Sequence, residues 1–151
     1  LAGSLTLPRH KGSTGDEWQP APPETAAPWA HRVIRPGHST RRIAQDLISG
    51  HWELIVEEDT GDTENLSHGL ISGETLREVW RIHPDDPLSA TVEVTYDQRL
   101  SRGEWSVRTR AVSRLESAPT HLRHSARLDA WEGENLALTR EFFDNTPRDH
   151  V

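Results

Sequence analysis

From Thr91 to Leu100 the chain alternates with a period of two. Val92, Val94, Tyr96 and Leu100 fall on one side, and Thr91, Glu93, Thr95, Asp97 and Arg99 on the other. Successive side chains of a strand point to opposite faces, so this run reads as a strand with one face covered and one in water. The next run sets Trp105, Val107, Ala111 and Leu115 against Ser106, Arg108, Arg110 and Arg114, with Val112 as an apolar exception on the polar side. A third sets Leu122, Ala126, Leu128 and Ala130 against His121, Arg123, Ser125, Arg127 and Asp129. In the last, Leu136, Leu138 and Phe142 share a face interrupted by Arg140. Shorter apolar sets precede these: Ile43 with Leu47, then Trp52, Leu54 and Val56, then Leu76, Trp80 and Ile82.

The punctuation between runs is regular. Turn-forming clusters stand at ISGH (48–51), DTGDTEN (59–65), ISGE (71–74), HPDDP (83–87), SRGE (101–104), ESAPT (116–120) and EGEN (132–135). Consecutive two-sided strands with short loops make an antiparallel meander, because parallel neighbours need crossover helices and no stretch supplies one. The fold class predicted is all-β, with seven or eight strands. One apolar face needs cover, so the meander is expected to curl into a sandwich or half-barrel, or to dock on another domain.

Residues 1–39 differ from the rest. Half of the ten prolines lie in QPAPPETAAPWAHRVIRPG, between Pro20 and Pro36. Their fixed φ and missing N–H groups favour extended chain. The expected organisation is a proline-rich arm over 1–39, pinned by Trp18 and Trp29, and an antiparallel β domain over 40–151. The chain starts at Leu1 and contains no methionine, which suggests a piece of a longer protein.

Composition narrows the function classes. With no cysteine, disulfides, thiolate metal sites and cysteine nucleophiles are excluded. The net charge of −7 argues against nucleic-acid and anionic-membrane partners, which need a basic footprint. Lys11 is the lone lysine among seventeen basic residues, a bias attributable to base composition. No apolar run approaches the roughly 18 to 20 residues of a membrane span, and no signal-peptide pattern opens the chain, so a soluble, cytoplasmic setting is expected.

Candidate chemistry meets plain alternatives. Acyl transfer by a serine triad calls for a strained elbow of the G-x-S-x-G type, which does not occur. Among nine histidines, His121 and His124 lie three apart, on opposite faces of a strand. His51, His68 and His83 sit at turns beside carboxylates, where only folding could assemble a metal site; solvated turn residues are the simpler reading. Asp85 and Asp86 are adjacent and splay apart, unlike a glycosidase pair about 5 to 9 Å apart across a cleft. Arg108, Arg110, Arg114, Arg123 and Arg127 face acidic positions such as Glu93, Asp97 and Asp129, and cross-strand ion pairs account for them without an anion ligand. The chain is expected to carry no catalytic, cofactor-binding or metal-binding residue of its own.

Larger blocks carry a resemblance. I-x-P-x-D-P-L-S-A (Ile82 to Ala90), S-R-G-E-W-x-V-R-T (Ser101 to Thr109), A-W-E-G-E (Ala130 to Glu134) and P-R-D (Pro147 to Asp149) occur in that order, preceded by RRIAQDLISGHWELIVEEDTG (Arg41 to Gly61). Together they resemble the extreme C-terminal region of cocaine-esterase-like serine hydrolases, the CocE/NonD group, relatives of the X-prolyl dipeptidyl-peptidases. SLTLP (Ser4 to Pro8) looks like the end of that family's jelly-roll domain, so the resemblance implies that residues 1–39 begin with the end of a preceding domain. Trp131, where a smaller aromatic is usual, and Thr146, where an aliphatic residue is usual, depart from the pattern. The resemblance implies a parent with an α/β-hydrolase domain bearing a Ser–Asp–His triad, then a jelly roll, then this region, with no triad residue in this chain. The function it implies is that of a non-catalytic accessory β domain, packed on the catalytic and jelly-roll domains of its parent or on a second subunit, homo-oligomerisation being left open. The other reading, from the residues alone, is a small-molecule-binding module with Trp52, Trp80 and Trp105 lining a pocket rather than filling a core.

Overall fold

A computed structural model describes residues 4–8, 12 and 20–148. Trp18 and Asp149 lie outside the described residues. The described chain is all-β, with eight antiparallel strands: β1 (His31–Arg35), β2 (His38–Gln45), β3 (Trp52–Asn65), β4 (Ile71–His83), β5 (Asp86–Arg102), β6 (Trp105–Ser117), β7 (His121–Glu132) and β8 (Asn135–Pro147). From β3 to β8 each strand pairs with the next, and β1 and β2 both pair with β3, at its two ends. This is the meander that the alternation predicts, and the strands begin at His31, so the unpaired part of the described arm ends at Ala30.

Register carries the alternation across the sheet. Ile43, Leu54, Trp80, Val92 and Leu115 are successive partners on five strands. Tyr96, Ala111 and Leu128 form a second row, and Ala126 with Phe142 part of a third. Directly paired residues project to the same side, so these rows make one apolar face. The opposite face carries Glu53, Glu57, Arg77, Glu93, Asp97, Arg110, Arg114, Arg127 and Asp129.

Instead of curling, the sheet stays open: β8 is one end of the strand order, β1 and β2 are the other, and the two ends are not paired. The apolar face has no second layer among the described residues. Among the described residues only Ile55, Val56 and Ala118 are buried hydrophobics, and no large side chain is fully enclosed. Of the two outcomes the sequence allows, curling and docking, the open sheet leaves the face available for the second.

Two expected turns are strand instead. DTGDTEN stays within β3 because a bulge absorbs the extra length: Asp59 pairs with Thr75, Asp62 pairs with Gly73, and Thr60 and Gly61 fall between. Gly61 has φ of 75°, and a Cβ there would overlap the Arg35 carbonyl, so only glycine fits. ISGE likewise lies in β4, with Gly73 under the Asp62 carboxylate. The turn between β3 and β4 is Leu66–Gly69, closed by Gly69 N–H to Asn65 C=O at 2.7 Å. A second bulge, at Ala130/Trp131, sets Leu136 opposite Trp131, out of step with Leu138 and Phe142.

Candidate functional site

The apolar face deepens into a groove of about 520 Å³ at the end of the sheet nearest the β4–β5 turn. Ile43, Trp52, Leu54, Trp80, Ile82 and Val92 line it, with Leu115 and Leu122 beyond. Ile43, Trp52, Trp80, Ile82 and Val92 are β-branched or aromatic, the types that fit a pleated, half-covered surface. They are nonetheless left in solvent, with Ile43 70 % exposed and Trp80 48 %. The polar edge of the Trp80 ring is satisfied, since its Nε1–H donates to Glu78 Oε2 at 2.8 Å. What remains is a water-facing apolar surface spanning several strands, the kind of patch that marks an interaction site.

The polar face is an ion-pair lattice. Arg35 on β1 reaches Asp59 Oδ2 at 2.7 Å and Asp62 Oδ2 at 2.6 Å, and Arg99 reaches Asp62 Oδ1 at 3.2 Å. The hydrogen bonds from Arg35 outweigh desolvation and hold the Asp59 carboxyl down at about 2. At Asp62 desolvation opposes ionisation, and Arg35 with Arg99 overcomes it, so its pKa is also lowered. A shallow cleft of about 450 Å³ beside them is lined by His38, Glu57, Asp59, Arg77, Asp97 and Arg110, among others. Its charges are paired in place: Glu57 with Arg77 at 3.2 Å, Asp97 with Arg110 at 3.8 Å.

The arginine row of the sequence is distributed as cross-strand and same-strand pairs. Arg110 meets Asp97, Arg127 meets Asp129 at 2.8 Å, and Arg114 takes Glu116 at 2.8 Å although Glu93 is its register partner. Arg108 stacks over the Trp131 ring, 4.1 Å from its centroid. Arg123 stands in register with Glu116 and Asn145.

His51 and His83 are brought together at one end of the sheet, their rings 5.4 Å apart edge to face. His68 lies in the β3–β4 turn at the opposite end, its Nδ1 accepting from Leu70 N–H. No group of three His, Asp or Glu side chains among the described residues is placed to hold a metal ion. In HPDDPLSA, His83 pairs with Asp86 around Pro84 and Asp85. Asp86 Oδ1 accepts from Leu88 N–H at 3.0 Å and Ser89 Oγ from His83 N–H at 2.7 Å, so the segment is a hydrogen-bonded corner.

His121 and His124 do point to opposite faces, and His124 has a partner that spacing alone does not show. Its Nε2 lies 2.7 Å from Ser113 Oγ on β6. Asp144 stands opposite His124 on β8, yet its carboxylate accepts from Thr146 Oγ1 at 3.0 Å. Ser113, whose register partner is Ala126, thus reaches His124 diagonally, and the row His124–Asp144 with this hydroxyl–imidazole bond lies on an open strand surface without the strained elbow that presents a nucleophile. Such a row becomes legible only with the register of three strands in hand.

Trp29 packs at the other end of the sheet, its ring 4.8 Å from that of His31, beside a cleft of about 360 Å³ with Thr60, Ser72 and Gln98. Trp105 lies outside the apolar groove. Comparison of the chain with protein-family models, curated proteins and solved structures gives no match.

Proposed function

We propose that this chain is a non-catalytic accessory module whose apolar sheet face packs on the body of a serine hydrolase of the cocaine-esterase-like type. One observation carries the reading: a single-layer sheet leaves Ile43, Trp52, Leu54, Trp80 and Ile82 in water along one continuous groove. Burying apolar surface contributes roughly 25 cal/mol per Å², so covering that face against a second body supplies a driving force that the single layer forgoes.

The hydrolase setting rests on the resemblance. Its I-x-P-x-D-P-L-S-A, S-R-G-E-W and A-W-E-G-E blocks span the β4–β5, β5–β6 and β7–β8 turns, which fits corners that set strand register better than a shared catalytic cluster. In this role the module shapes or shields the catalytic body, and acyl-ester or peptide hydrolysis belongs to the parent.

The test is to titrate the catalytic body of such a hydrolase with this chain and follow tryptophan emission. Docking predicts a saturable blue shift that Leu54→Asp or Ile82→Asp abolishes. No shift with the wild-type chain overturns the reading. A small-molecule module is the second reading, favoured by the size of the groove alone. The groove is open and almost wholly apolar, without the convergent polar groups that orient a small ligand.

A further inference from the structure

β8 ends the sheet, and all its residues from Asn135 to Pro147 are exposed. Which backbone groups it turns outward follows from the flanking hydrogen bonds. Ala118 N–H donates to His121 C=O and Gly133 N–H to Ser106 C=O, so odd-numbered β7 residues bond to β6. Even-numbered ones therefore bond to β8, as Arg148 N–H to Thr120 C=O continues at the far end. In β8 it is then Thr139, Glu141, Phe143 and Asn145 that direct their N–H and C=O groups away from the sheet. Pro147, with no N–H, closes the row. A long row of this kind is a template for another strand.

We propose that β8 pairs antiparallel with β8 of a second copy of this chain, about a two-fold axis at Phe142. The sequence around Phe142 is complementary to itself. Arg140 and Asp144 lie two residues either side, on the same face as Phe142, so the axis sets each Arg140 opposite Asp144 of the partner subunit. The two phenyl rings meet in a non-hydrogen-bonded pair, where facing side chains are closest. Glu141 with Phe143 and Thr139 with Asn145 form the hydrogen-bonded pairs.

Other registers lose this match. Centring on Arg140, Glu141 or Asp144 opposes that charge to itself, and centring on Phe143 moves Arg140 opposite Thr146, so the Arg140–Asp144 ion pair is lost. Charge scattered on an edge strand ordinarily discourages pairing; here its placement selects one register. The pairing uses the sheet edge, leaves the apolar groove open, and does not depend on the proposed docking of that face.

The absence of cysteine makes the register directly measurable. Sedimentation of the wild-type chain should show a dimer, and Phe142→Cys should form an intermolecular disulfide under mild oxidation. Arg140→Cys mixed with Asp144→Cys should give the mixed cross-link well above either self-link. Arg140→Asp should weaken the dimer roughly tenfold, and adding Asp144→Arg should restore it. Asn145→Pro, which removes an outward N–H and spares the β7 ladder, gives a second disrupting variant, with circular dichroism confirming that each variant is folded. A monomeric wild type overturns the proposal. So does a dimer that cross-links in another register, or one indifferent to both Arg140→Asp and Asn145→Pro; that last result assigns association to the apolar face instead.

Discussion

Trp80 on β4 stands directly opposite Leu54 on β3, and both side chains remain more than two-fifths exposed. In a two-layer β domain this pair would be at the centre of the core. Here it lies on the surface, which gives the isolated chain an unusual mutational profile. Truncating a core tryptophan costs about 3 to 5 kcal/mol. Trp80→Ala is expected to cost about 1 to 2 kcal/mol in urea unfolding of the isolated chain, since only part of the ring is shielded. A cost of 3 kcal/mol or more would mean that something covers the face.

The β3 bulge makes the opposite kind of prediction. Gly61 combines a left-handed backbone with contact against the Arg35 carbonyl, while Gly103 and Gly133 have φ of 60° and 57° with open space around the missing Cβ. Gly103→Ala and Gly133→Ala should each cost about 1 kcal/mol, and Gly61→Ala clearly more, about 2 to 4 kcal/mol, because backbone has to move. Equal losses at all three positions, measured by chemical denaturation, would show that the bulge relaxes freely.

Acid should act through the same corner. The Asp59 carboxyl is held at about 2 by its hydrogen bonds from Arg35, below the value of about 3.9 in an unfolded chain. A depressed carboxyl stabilises the fold above its unfolded pKa and loses that contribution as pH falls through its folded pKa. Stability should therefore hold above about pH 4 and decline toward about pH 2, with Asp62 acting in the same direction. Thermal melts of Asp59→Asn should start lower and fall less across that window; a decline as steep as that of the wild type would remove Asp59 from the account.

The Ser113–His124 bond is expected to be structural. The chain should not turn over p-nitrophenyl esters, and Ser113→Ala should lower stability by about 1 kcal/mol, the value of one hydrogen bond. Turnover that a serine-directed inhibitor abolishes, and that Ser113→Ala removes, would make this row an active site and contradict the non-catalytic reading.

Much of the fold is legible in the sequence because period-two alternation is a local signal. The runs around Val92, Val107, Ala126 and Phe142 each lie in a strand of the predicted meander, and the corners at Pro84–Asp85, Gly103–Glu104 and Gly133–Glu134 are turns as read. Where the reading fails, the cause is two-body. Gly61 and Gly73 look like turn residues, and their smallness instead serves close approach to Arg35 and Asp62. Leu136 leaves its expected face because of a bulge that alternation does not encode. The candidate site divides in the same way: its tryptophans are visible in the sequence as one apolar stripe, while their exposure depends on whether a second layer exists. The Ser113–His124 contact requires the pairing of β6 with β7.

The central claim, that the apolar face is a docking surface for a hydrolase body, is tested most directly by hydroxyl-radical footprinting of Trp52 and Trp80, in this chain alone and in complex with that body. The account predicts strong labelling of both rings in the isolated chain and several-fold protection in the complex, with Phe143 on the opposite face unchanged. Equal labelling of Trp52 and Trp80 in the two states would contradict it.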